Sequence, residues 1–110
     1  MTENEYIDVG TIGDYLREEW LEPLNLSHNR LAMAIGVPAN RITDIVNGKR
    51  GISADTDLRL CKYFRMSDGH FLRMQDALER IPVRRKIADQ LDAIVPYAND
   101  NAAARELDVM

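Results

Sequence analysis

The stretch "LAMAIGVPANRITDIVNGKR" at residues 31–50 constrains the fold most, because two short helical periods stand there with hardly any chain between them. Leu31, Ala32 and Ile35 form one apolar stripe at helical spacing, and Ile42, Ile45 and Val46 form the next. Gly36 supplies the left-handed backbone that closes a helix. Pro38 suits the first turn of the following helix, where a missing N–H is not felt. Gly48 stops the second period. Neither helix can bury its stripe alone, so further elements must pack around the bend.

The rest of the chain supplies them. Thr11 predicts a cap for a helix that turns Ile12, Tyr15, Leu16 and Trp20 inward, and Pro23 predicts its end. Ser27 caps the first helix of the bend. Ser53 predicts a fourth helix with Leu58, Leu60, Cys61 and Phe64 available for packing, and Ser67 a fifth with Phe71, Leu72, Met74 and Leu78. Pro82 predicts another break, followed by a sixth helix whose stripe is Ile87, Leu91, Ile94 and Val95. No alternating strand and no repeat interrupts this series. The reading is all-α, with five or six helices. Its parts are a mobile acidic arm at 1–10, a main domain at 11–81, an additional helix at 82–95 and a flexible tail at 96–110.

At 110 residues the chain fits one domain. No apolar run approaches the roughly 18–20 residues that span a bilayer, and no basic start leads into an apolar leader. The expectation is a cytoplasmic protein without a membrane partner. Cys61 is a lone cysteine, read as a small buried apolar residue. His28, Cys61 and His70 show no metal-ligand spacing, so no metal or other cofactor is expected. A nucleophile–base arrangement and a phosphate-binding glycine loop are both missing, which excludes an enzyme and a small-molecule substrate. Asp14, Glu18 and Glu22 read as a solvated ridge.

The net charge of −4 argues at first against a nucleic-acid partner, but its distribution does not. Residues 1–22 hold seven acids against Arg17, whereas residues 23–50 set Arg30, Arg41, Lys49 and Arg50 against Asp44 alone. Binding to a polyanion follows the local field rather than the total. Two short helices joined at a glycine turn form a helix-turn-helix, whose second helix enters the major groove. On a helical wheel Asn40, Asp44 and Asn47 fall opposite the Ile42–Ile45–Val46 stripe, with Arg41 and Thr43 flanking. Asn pairs with adenine, Asp accepts from the cytosine amino group, and Thr touches a thymine methyl. Arg41 is open to either a guanine or a phosphate. Asp44, which repels phosphate, must face a base or pair with Arg41. Lys49, Arg50 and the amino end of the preceding helix, with Ser27 and His28, are placed for backbone phosphates.

These residues carry a resemblance. The region resembles the Cro/C1-type (XRE), lambda-repressor-like helix-turn-helix. More narrowly, "LREEWLEPL", "VPANRITDIVNGKRGIS", "DTDLRL" and "FLRMQ" are similar to the corresponding pieces of HigA-type antitoxins from bacterial toxin–antitoxin modules. The resemblance implies a dimeric, operator-binding autorepressor that also silences a RelE-like ribonuclease toxin. It puts Ala39, Asn40 and Asp44 at base-reading positions, with Arg41, Thr43 and Asn47 beside them. The chain departs from the family at Thr11-Ile12-Gly13-Asp14, at His70-Phe71 and at Leu78. A two-fold dimer would reach half-sites about 34 Å apart, and Phe71, Met74 and Leu78 are available for its interface or for the core. The acidic first 22 residues complement a basic ribonuclease surface. A stand-alone XRE regulator and a purely protein-binding helical module are the alternatives.

Overall fold

The computed structural model describes residues 9–98, and within them the chain is all helical. Helix α1 (Ile12–Leu16) runs into a π-helical turn (Arg17–Leu21); α2 (His28–Ile35) and α3 (Ala39–Val46) follow; then come α4 (Ala54–Phe64), α5 (His70–Lys86) and α6 (Ala88–Ala93). Among the described residues no helix is long and apolar enough to cross a membrane. The expected arm at 1–10 and the tail at 96–110 fall mostly outside the described residues.

Local chemistry sets most helix ends. Thr11 caps α1 in a reciprocal box, its hydroxyl accepting from the Asp14 N–H at 3.1 Å while its own N–H donates to the Asp14 carboxylate at 3.0 Å. Ser27 and Ser53 cap α2 and α4 without the reciprocal bond, their hydroxyls accepting from the Arg30 and Thr56 N–H groups. Gly36 (φ 75°) and Gly48 (φ 78°) close α2 and α3 in left-handed conformation, as expected. At both closures the next residue's N–H reaches back a full turn, Val37 to the Ala32 carbonyl and Lys49 to the Asp44 carbonyl. Pro38 sits one position earlier than expected, as the residue before α3. The break expected at Pro23 is completed at Asn25, which takes φ 52°.

The core is formed by Leu16, Leu31, Ile42, Ile45, Leu60, Cys61 and Phe71, all fully buried, with Ile12, Leu21, Ala32, Ile35 and Ile52 around them. Burying a Leu, Ile or Phe side chain contributes roughly 1.5–3 kcal/mol. Trp20, Phe64 and Phe71 stack into one side of it, the Trp20–Phe64 ring centroids being 4.5 Å apart. Helix α1 approaches α3 closely. A Cβ on Gly13 would lie 2.3 Å from the Ile45 carbonyl oxygen, so only glycine fits there.

Several expectations fail in the second half. Ser67 does not cap α5; Gly69 precedes it at φ 89°, and the capping acceptor is Asp57 of α4. The Asp57 carboxylate is buried and accepts the N–H groups of Gly69 (2.7 Å), Phe71 (2.9 Å) and Leu72 (3.1 Å), and the Cys61 thiol as well (3.6 Å). Pro82 does not break the chain either. Helix α5 continues through it to Lys86, because proline forfeits only one backbone bond on a helix largely exposed here, and the break comes at Ile87. Arg84, Arg85 and Lys86 fill the last turn, where positive charge offsets the helix dipole. The sixth helix is thus shorter than the 82–95 segment expected. Its stripe does not join the core, with Ile94 and Val95 exposed and Leu91 and Ile87 half-buried. Leu58, expected to pack, is 50% exposed on the outside of α4.

Candidate nucleic-acid interface

Helices α2 and α3 meet at the Gly36 turn, and Arg59 of α4 fastens it by donating to the Ile35 carbonyl at 2.7 Å and the Gly36 carbonyl at 3.2 Å. Ile42 and Ile45 anchor α3 from within. The opposite side presents Ala39, Asn40 and Asn47 to solvent, with Arg41, Thr43 and Asp44 half-buried beside them. The structure therefore brings the sequence-predicted residues of α3 onto one surface.

Their pairing differs from expectation. Arg41 does not meet Asp44; it donates to Asp55 of α4 at 3.1 Å, and Arg59 donates to the same carboxylate oxygen at 2.7 Å. These guanidiniums, Arg59 first, hold Asp55 below the ordinary carboxylate range. Asp44 pairs with Arg50 at 3.5 Å, because the Gly48 closure folds the exit of α3 back over its last turn. Asp44 thereby shares its charge with a cation that also faces outward, so a carboxylate beside a polyanion is partly neutralised. Thr43 is not free: its Oγ1 lies 3.1 Å from His28 Nδ1.

Lys49 and Arg50 stand exposed on the loop after α3. Gln75 of α5 fixes that loop by accepting the Ile52 N–H at 2.7 Å and donating to the Ile52 carbonyl at 3.1 Å. The amino end of α2 meets α3 through His28 and Thr43, and its first N–H groups lack intrahelical acceptors. Ser27 uses its hydroxyl oxygen for the cap. Such an array offers amide, hydroxyl and carboxylate groups to base edges, flanked by cations and backbone N–H groups suited to phosphates.

The remaining candidates divide. Phe71 is fully buried against the aromatic cluster and is core, not interface, since it lies at the start of α5 facing Trp20 and Phe64. Met74 and Leu78 are half-buried on the same helix. The acidic ridge is real but not bare: Arg17 reaches Asp14 at 3.3 Å and Glu18 and Glu22 at 3.2 Å. Among the described residues no cluster of side chains could hold a metal. Sequence reasoning missed Asp57, Gln75 and Arg59, which hold the surface in place without facing it.

A helix-turn-helix presenting such a surface belongs to the DNA-binding regulators, and the helix-turn-helix family model matches residues 18–71. The chain is 40% identical over 88 residues to virulence-associated protein I of Dichelobacter nodosus, covering 80% of this chain and 81% of that one. Its fold matches an addiction-module antidote protein of the HigA family from Coxiella burnetii, with TM-score 0.69, 36% identity, and 80% and 97% of the two chains covered. It matches the Pseudomonas aeruginosa antitoxin HigA with the higBA promoter at TM-score 0.68 and 32% identity, covering 81% and 98%. The chain belongs to the Cro/C1-type helix-turn-helix family and, within it, to the HigA-type antitoxins. These matches set it among regulators rather than enzymes.

Proposed function

We propose that this protein is a cytoplasmic transcriptional autorepressor that binds double-stranded operator DNA as a homodimer and acts as the antitoxin of a HigB/RelE-like ribonuclease. The observation that carries the reading is the outward polar face of α3, with Ile42 and Ile45 buried behind it and Lys49 and Arg50 beside it. In this reading Ala39, Asn40, Thr43 and Asp44 face bases, Ser27, Asn47, Lys49 and Arg50 lie along the phosphates, and His28 flanks them. Arg41, tied to Asp55, flanks the reading face. That a relative of the same fold is solved with promoter DNA supports the DNA partner. One α3 reads only a few base pairs, which favours two copies on half-sites about 34 Å apart. Met74 and Leu78 remain the candidates for the shared interface.

A footprint of the purified protein on the DNA upstream of its own gene tests the reading. The expected result is two protected half-sites related by symmetry, with affinity falling on the order of a thousandfold or more between 50 and 200 mM salt if six to ten phosphates are contacted. Affinity independent of salt would overturn it. The antitoxin role predicts a small basic protein encoded next to this one, whose growth arrest co-expression should rescue; without such a neighbour and such a rescue the protein is a stand-alone regulator.

A further inference from the structure

His28 and Thr43 stand one on each helix of the motif, and their side chains meet at 3.1 Å, Nδ1 to Oγ1. Both are half-buried, so this nitrogen is occupied within the protein. Resting on the DNA-binding reading above, we propose that His28 is a positioning residue for base selection. Its ring fixes the Thr43 side chain on the reading face and decides whether the hydroxyl offers the duplex a lone pair or a proton.

The chemistry follows from the donor inventory. With no proton on Nδ1, the nitrogen accepts the Thr43 hydroxyl hydrogen, and only lone pairs on Oγ1 face outward. Those lone pairs suit the exocyclic amines of adenine and cytosine. With a proton on Nδ1, as in the imidazolium, Oγ1 accepts from the ring and its own hydrogen turns outward. That hydrogen suits guanine O6 or N7 and thymine O4. Neutral imidazole permits both arrangements through its two tautomers, and the imidazolium permits only the second.

Charged groups stand around the pair without entering it. Arg17 and Glu22 line the cleft beside His28 and pair with each other at 3.2 Å, Arg17 being shared with Asp14 and Glu18. On α3, Asp44 next to Thr43 pairs with Arg50 at 3.5 Å.

The probe is the duplex that the wild-type protein enriches from a randomised library, against an unselected duplex, at one pH throughout. The wild type should discriminate amino-bearing from carbonyl-bearing base edges at one position per half-site. His28→Ala should weaken the selected duplex about tenfold and change the unselected one less than about twofold. Thr43→Val should abolish both that discrimination and any further effect of His28→Ala. His28→Asn, whose amide can stand where Nδ1 stands, should keep the selectivity. Equal weakening of both duplexes by His28→Ala, with a shallower salt dependence, would make His28 a phosphate contact and overturn the proposal. So would discrimination at that position that persists in Thr43→Val. In the free protein, Thr43→Val should move the His28 Nδ1 nitrogen resonance, and an unmoved resonance removes the pairing itself. Failure to bind any duplex at low salt, with that resonance still responsive, would instead remove the DNA-binding reading and this proposal with it.

Discussion

Asp57→Ala tests whether one carboxylate joins the second half of the molecule to the first. Asp57 accepts three backbone N–H groups at the start of α5, where Gly69 brings no side chain to cap them. Removing it strands the buried Phe71 N–H, which costs about 1–3 kcal/mol. The Gly69 and Leu72 N–H groups are part-buried and regain some water, so each loses about 1 kcal/mol. The total is about 3–5 kcal/mol, a large share of the roughly 5–15 kcal/mol that holds a domain together. Asp57→Asn keeps one oxygen acceptor but turns its NH2 toward a donor, and should cost about 2 kcal/mol. Urea unfolding of both variants measures this as a fall in midpoint at constant slope. A loss below about 1 kcal/mol in Asp57→Ala would refute the reasoning, because α5 would then be held by its apolar side alone.

Gly13→Ala should destabilise by at least about 1–3 kcal/mol, read by the same unfolding curves, since its Cβ would meet backbone oxygens of α3 that cannot swing aside. Arg65 sits at φ 61° at the end of α4, and Arg65→Gly should stabilise by about 0.5–1 kcal/mol in thermal unfolding. On DNA, Asn40→Ala should relax preference at one base position by about 1–3 kcal/mol, whereas Lys49→Ala should weaken cognate and random duplexes alike, as mobility-shift titrations would show. Asp14 is held below the ordinary carboxylate range, first by the Thr11 N–H and then by Arg17, and Asp55 is held low first by Arg59. Both are lowered in the folded state, so their contribution is present above the unfolded value, near pH 3.9, and is lost as pH falls through the folded one. Unfolding midpoints should therefore drop below about pH 4, and less steeply in an Asp14→Asn, Asp55→Asn double variant.

What the sequence disclosed was what neighbours along the chain decide. Thr11, Ser27 and Ser53 bond to N–H groups three residues on, and Gly36 and Gly48 close helices through bonds spanning one turn. Such interactions leave a readable signature, and so do the stripes that turn Ile42 and Ile45 inward. Ser67 misled because its turn is local but its helix is capped from elsewhere. Pro82 misled because the rule against proline assumes a helix interior whose every bond matters, and here the helix is already leaving the domain. The pairings of Arg41 and Asp44 depend on where α4 and the Gly48 exit lie in space, which spacing along α3 does not encode.

A signal for the polar residues that tie helices together did exist. Asp57 shares the face of Leu60 and Cys61 at spacings of three and four, Gln75 shares that of Phe71 and Leu72, and His28 shares that of Leu31, Ala32 and Ile35. Each is a polar residue standing on an apolar stripe, where burial without a partner is costly. Each then finds its partner on another element: Asp57 at the start of α5, Gln75 at Ile52, His28 at Thr43. The exposed polar residues of α3 face outward and are free to meet a ligand; the inward ones tie helices together. In this fold the outward face of α3 is held in register by polar side chains that the hydrophobic pattern alone marks as out of place.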